Sequence, residues 1–223
     1  MPRPTHLFTD ADRASIEDAI FDAEQKTGAE IVVVVAARSG GYARVADVFG
    51  LSVAVAVTLV AMWIFGDPKG EWIFPRETHM HPGLILGLLI LVFAVCTAVA
   101  DTNPAIVRLA AGKKRLRRHV ERMGPSWFQR LRVRSTKDQV GVLIFVSLFE
   151  KMVMIVPDDA VERVLATGEL DSVRDTIREG LRTNRLPNAL REAITQAGEI
   201  LSPHLPTPLP NMDELPNELH LID

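Results

Sequence analysis

Only one cysteine, Cys96, occurs in this 223-residue chain, so no internal disulfide can brace it. Its place inside an apolar run gives it the character of a packed or lipid-facing thiol rather than a redox group. The sequence also contains no Ser-His-Asp or Cys-His signature, no HExxH, no CxxC and no phosphate-cradling glycine loop, which sets aside the well-marked hydrolase, zinc and nucleotide-binding classes. The 47 residues ahead of the first long apolar run hold no basic n-region, apolar h-region or small-residue cleavage site, so no signal peptide is expected. Charge is missing from two stretches, Val48 to Phe65 and Pro82 to Ala100. Each is close to the ~20 residues that an α-helix needs to cross ~30 Å of hydrocarbon.

Against these absences stand 48% hydrophobic residues and a mean hydropathy of +0.14, together with 24% charged residues and a net charge of −3. Apolarity this high beside charge this abundant must be concentrated locally, as two membrane spans in a soluble background. We therefore read residues 48–65 and 82–100 as transmembrane helices joined by an external loop, 66–81. That loop carries Trp72, and Trp63 lies near the end of the first span, where indoles prefer the interface. Orientation follows from Lys and Arg near the span ends. Arg108, Lys113, Lys114, Arg115, Arg117, Arg118 and Arg122 crowd the stretch after the second span, whereas the loop has Lys69 and Arg76. The basic side is expected in the cytoplasm, with both termini there and the protein integral to the bacterial cytoplasmic (inner) membrane.

Positions 108 to 134 hold ten Lys and Arg against Glu121 alone. Following a span directly, such a stretch reads as a helix from Pro104 to about Arg130 bathing in anionic headgroups, with Lys113, Lys114, Arg115, Arg117 and Arg118 as the contact residues. The lipid bilayer and its anionic phospholipids are the expected partners; nucleic acid is not. Within the spans only Ser52, Thr58 and Thr97 are polar, too little for a transport path. Gly83 and Gly87 form a G-x-x-x-G pattern that suits close helix approach, either inside the hairpin or in self-association through the transmembrane helices.

The soluble parts flank this hairpin: 1–47 as the first part of a discontinuous domain, 101–201 as its second part, and 202–223 as an acidic, Pro-rich tail. Thr9 to Lys26 has a cap candidate and apolar residues at helical spacing, and Glu30 to Ala36, EIVVVVA, reads as a strand covered on both faces. Gly141 to Leu148 and Lys151 to Val156 read as two antiparallel strands joined tightly around Phe149-Glu150. Further helices are expected from Asp158 to Leu165, from Glu169 to Leu181 and from Pro187 to about Leu201. Strand 30–36 would run parallel to strand 141–148, with the membrane hairpin as an elaboration of their crossover. The tail has five prolines, Asp213, Glu214, Glu218 and Asp223, and no Lys or Arg. It has too little apolar surface to fold alone, and would lie along the domain or pair with the basic helix.

The segments LFTDADRASIEDAIFDAEQKTGAEIVVVVAARSGGYARVAD and GVLIFVSLFEKMVMIVPDDAVE resemble the TPM domain family, in particular its bacterial membrane-embedded branch. The resemblance implies a three-layer α/β/α sandwich around a small mixed sheet. It also implies membership of a group described as phosphatase-like, metal-binding or tied to maintenance of membrane complexes. Soluble relatives tend to carry an Asp before the first helix and an Asp-Asn pair immediately before the GVL strand. Here no acid precedes Leu7, and Gln139-Val140 precede Gly141, with Asp138 one position further back. A slip of one residue in a strand reverses the face to which a side chain points.

Asp138, Asp158 and Asp159 are the candidate metal ligands, for Ca²⁺ or Mg²⁺ if any cofactor is used; a helix cap and first-turn acid explain the last two equally. His79 and His81 are a weaker pair for a borderline metal. The sequence-level expectation is a membrane-anchored, non-catalytic scaffold or assembly and maintenance factor, with a protein partner. The alternative is a metal-dependent, phosphatase-like hydrolase.

Overall fold

The computed structural model describes residues 3–65, 81–133, 140–206 and 217–223. It divides into two units, residues 1–40 with 114–223, and residues 41–113.

The first unit opens with a short turn of helix, α1 (Pro4–Leu7), and then α2 (Asp10–Glu24). Why α2 starts where it does is written in its cap. Thr9 Oγ1 accepts the Asp12 N–H at 3.1 Å, and the Asp12 carboxylate accepts the Thr9 N–H at 2.9 Å, a reciprocal capping box. The Thr9 hydroxyl also donates to that carboxylate, at 2.7 Å, and this bond together with the one from the Thr9 N–H holds the Asp12 carboxyl below the usual aspartate range. Thr9→Ala is expected to cost about 1 kcal/mol, read as a lower thermal midpoint of the domain. Because the folded-state pKa of Asp12 is depressed, the contribution of its charge is full above an unfolded aspartate pKa of about 3.9 and is lost as acid takes the pH down through the lowered value. The gap between wild type and Thr9→Ala should therefore close in acid; a gap that widened would sink this account.

β1 (Glu30–Ala36) follows, with all seven residues buried. Its lack of alternation has a simple origin. Ile31, Val33 and Val35 enter one core with Ile16 and Ile20 of α2, while Val32, Val34 and Ala36 enter a second core on the opposite face. β2 (Gly141–Ser147) lies parallel to β1, Glu30 opposite Gly141 through Ala36 opposite Ser147. It divides in the same way: Val142, Ile144 and Val146 face the first core, Leu143 and Phe145 the second. β3 (Met152–Pro157) pairs antiparallel with β2 and is half-buried throughout, as an edge strand should be.

The outer layers complete the sandwich. On the first face α2 is joined by α8 (Asp171–Thr183) through Val173 and Ile177, and by α9 (Leu186–Leu201) through Leu190 and Ile194. Gly198 allows α9 to approach α2: a Cβ there would lie 2.8 Å from that of Ala23. On the second face α6 (Lys113–Arg130) buries Leu116, Val120, Gly124 and Phe128, one residue per turn. α7 (Asp159–Val164) links β3 to α8. The expected α/β/α sandwich around a small mixed sheet is thus the architecture found.

The tail, expected to lie along the domain or to pair with the basic helix, adds its last residues to the sheet: they form β4 (Leu219–Ile222), parallel to β1 from Val33 opposite Leu219 to Ala36 opposite Ile222, giving the sheet order β3-β2-β1-β4. Asp223 then accepts the Thr5 hydroxyl at 2.8 Å. The basic segment needs correction: it is not one helix from Pro104 to Arg130. It is α5 (Pro104–Ala111) and then α6, broken at Gly112, whose φ of +73° is readily adopted by glycine.

In the second unit, α3 (Ala43–Phe65) and α4 (Pro82–Thr102) are long and apolar enough to cross a membrane. Their close approach is at Gly50, where a Cβ would stand 2.6 Å from Thr97 Oγ1 and 3.4 Å from the Phe93 carbonyl oxygen. This corrects one reading of the G-x-x-x-G pattern: among the described residues a Cβ at Gly87 would meet nothing within 4 Å and one at Gly83 only His81, so neither makes the contact seen at Gly50. The loop that joins the helices, with His79, lies outside the described residues.

Candidate functional site

Four features could carry function, and the acidic residues come first. Asp158 follows β3; its N–H donates to the Gly141 carbonyl at 2.8 Å and its carboxylate accepts the Asp159 N–H at 2.7 Å, capping α7. The side chain is 2% exposed. Asp159, in the first turn of α7, is exposed, and its carbonyl accepts from Arg163 Nε at 2.9 Å. Asp138 lies outside the described residues. Among the described residues no three His, Cys, Asp or Glu side chains gather as a metal would require.

The second feature is the cationic surface of α6. Lys113, Lys114, Arg115, Arg117 and Arg118 are all exposed, as is Arg122. Arg117 donates from Nε to Glu121 at 2.6 Å, so part of its charge is satisfied within the helix. Trp127 and Phe128 turn toward the sheet and join the second core, and Arg130 stacks 4.9 Å from the Trp127 ring.

A buried polar cluster that sequence reasoning did not single out lies at the carboxyl ends of β1 and β2. The Ser39 hydroxyl donates to Ser147 Oγ at 2.8 Å, the Ser147 hydroxyl donates to Glu150 Oε2, and Glu150 Oε1 accepts the Ser39 N–H at 2.9 Å. All three side chains are buried, Ser147 completely. The cluster ties the turn after β1 to the β2–β3 hairpin, which is shaped by Lys151 at φ +52°. Gly40 is wedged against the His119 ring of α6, 2.8 Å from where its Cβ would be. The only signal in the sequence was the Ser-Gly-Gly turn and a serine closing an otherwise apolar strand.

The apolar helices are the fourth feature. Trp63, Phe65, Leu84 and Leu91 are each more than 60% exposed, and only 17% of the first candidate span and 6% of the second are buried. Two of their hydroxyls are satisfied internally, Ser52 Oγ donating to the Val48 carbonyl and Thr58 Oγ1 to that of Ala54, both at 2.8 Å, whereas Thr97 Oγ1, packed beside Gly50, has no hydrogen-bond partner among the described residues. Backbone and hydroxyl groups so paired can face hydrocarbon without loss.

The stretch from the end of α4 through α9 carries the family match. Residues 99–200 match the TPM domain family. The TPM match takes in the basic helix, the β2–β3 hairpin and the helices that follow, and stops short of β1. The whole chain resembles the NMR structure of BA42 protein from the psychrophilic bacterium Bizionia argentinensis. That likeness has a TM-score of 0.55 at 20% identity and covers 96% of this chain and 94% of the other, so it bears on the fold. No curated protein sequence matches the chain.

Proposed function

We propose that the chain is a TPM-like domain protein anchored in the bacterial cytoplasmic membrane by α3 and α4, as in the family's membrane-embedded branch. In this reading it serves as a non-catalytic scaffold or assembly and maintenance factor, with both termini in the cytoplasm. One observation carries the reading: two helices of membrane length turn their large apolar side chains outward instead of into a core. Water would not tolerate a surface of that size on a monomer. The excess of Lys and Arg after α4 supports the orientation.

The non-catalytic part rests on the acids. Asp158 serves the α7 cap, and the positions at which the family's soluble members carry acids hold none here. Three measurements test the proposal. Alkaline carbonate extraction should leave the untagged protein in the membrane pellet. A cysteine placed in the 66–81 connector should react with an impermeant thiol reagent in intact spheroplasts. Purified protein should show the same phosphomonoester hydrolysis with and without Mg²⁺ or Ca²⁺ as an Asp138→Asn/Asp158→Asn/Asp159→Asn variant; metal-stimulated hydrolysis lost in that variant would overturn the non-catalytic reading. Partners retained through mild-detergent purification would then identify the assembly.

A further inference from the structure

The sheet of the first unit separates two charges. On one face α2 carries Asp10, Asp12, Glu17, Asp18, Asp22 and Glu24 against Arg13; on the other α6 carries Lys114, Arg115, Arg117, Arg118, Arg122 and Arg130 against Glu121. The cationic layer is itself ordered. Leu116, Val120, Gly124 and Phe128 commit one side of α6 to the sheet. At spacings of three and four, Arg115, Arg118 and Arg122 share the opposite side, and all are exposed. Arg117, paired with Glu121, stands off this stripe. The close fit of Gly40 on His119 brings the turn after β1 to the same helix, and Arg38, in that turn, is exposed.

We propose that Arg115, Arg118 and Arg122, joined by Arg38 of the turn after β1, dock on the phosphate groups of an anionic lipid leaflet. The inference rests on the anchoring proposed above. Guanidinium forks match phosphate oxygens in pairs, and a row of three spaced along a helix suits a plane of headgroups. The tether favours this partner. Twelve residues lie between Ala100 and Lys113, at most about 45 Å over the thirteen steps even if fully extended, so a membrane holding α4 presents headgroups at high local concentration. Single-stranded nucleic acid is disfavoured by the aromatics: Trp127 and Phe128 pack toward the sheet, leaving no stacking platform on the stripe. The acidic α2 face, across the sheet, would be left to the aqueous side.

The test uses the full chain in phosphatidylcholine nanodiscs with and without phosphatidylglycerol, reading phenylglyoxal modification of each arginine by mass spectrometry. Modification of Arg115, Arg118 and Arg122 is expected to slow several-fold in the anionic discs, with Arg178 on α8 unchanged, and about 1 M salt should reverse the effect. Each arginine replaced by Gln should lower the docked-to-undocked ratio about fivefold, so the triple variant should lose protection at Arg38. Equal modification in both discs would overturn the proposal. So would protection by inorganic phosphate in zwitterionic discs, which would assign the stripe to a soluble anion, or protection by an RNA oligonucleotide without any by phosphatidylglycerol. A chain that failed to enter discs at all would overturn the anchoring reading along with this one, whereas an embedded chain with unprotected arginines overturns this one alone.

Discussion

Glu150→Ala is expected to destabilise the α/β/α unit by about 3 kcal/mol, the cost of leaving two buried donors without their acceptor. For a unit of this size that corresponds to a fall of about 6–12 °C in thermal midpoint. Ser147 is completely buried and Ser39 nearly so, out of reach of bulk solvent, and one carboxylate accepts the Ser39 N–H and the Ser147 hydroxyl together. The hydroxyl of Ser147 both accepts and donates, so the chain from Ser39 to Glu150 is polarised in one direction. Removing its end should therefore hurt more than removing its beginning. Ser39→Ala takes away a donor and leaves Glu150 bonded to the Ser39 N–H, and should cost about 1 kcal/mol. Ser147→Ala should fall between. Circular dichroism melts of the four proteins in one detergent check the order; a Ser39→Ala loss equal to that of Glu150→Ala would show that the cluster does not act as a chain.

The same cluster shows where sequence reasoning reaches and where it stops. β1 and β2 could be read because both faces are covered, which forces unbroken β-branched and aromatic runs such as EIVVVVA and GVLIFVS. α2 could be read from its cap and its apolar spacing, and α9 from a proline in its first turn. Pairing over 111 positions, as between Ser39 and Glu150, leaves no local pattern: each residue looks like an ordinary turn residue until the strands lie side by side.

β4 was hidden for a related reason. LHLI is short, follows five prolines, and finds its ladder partners only at the open edge of β1. Nothing local to Gly112 marks a break in the basic helix, because its positive φ depends on where the chain must turn. The G-x-x-x-G pattern did not mark the hairpin contact. Small residues permit close approach but do not cause it, and the permission was used at Gly50 against Thr97. Of the candidate acids, Asp158 and Asp159 had two readings in the sequence, and the bond between Asp158 and the Asp159 N–H favours the cap.

The apolar helices support the second large prediction, which also discriminates between solvents. Leu91 lies at the middle of the second candidate span and is 62% exposed; Val57 lies near the middle of the first and is 40% exposed. If lipid surrounds them, an arginine at either position costs about 2.5–3.5 kcal/mol of insertion free energy, and Val57→Arg with Leu91→Arg together about 5–7 kcal/mol. The double variant should then disappear from the membrane pellet, and its domain should either appear in the supernatant or be degraded, while Val57→Phe with Leu91→Phe remains embedded. In water the outcome inverts. An exposed leucine replaced by arginine changes stability by no more than about 0.5 kcal/mol and improves solubility. A double-arginine variant that accumulated to wild-type level, in the same fraction and with the same melting point, would leave α3 and α4 without a hydrocarbon environment to explain their outward leucines and valines.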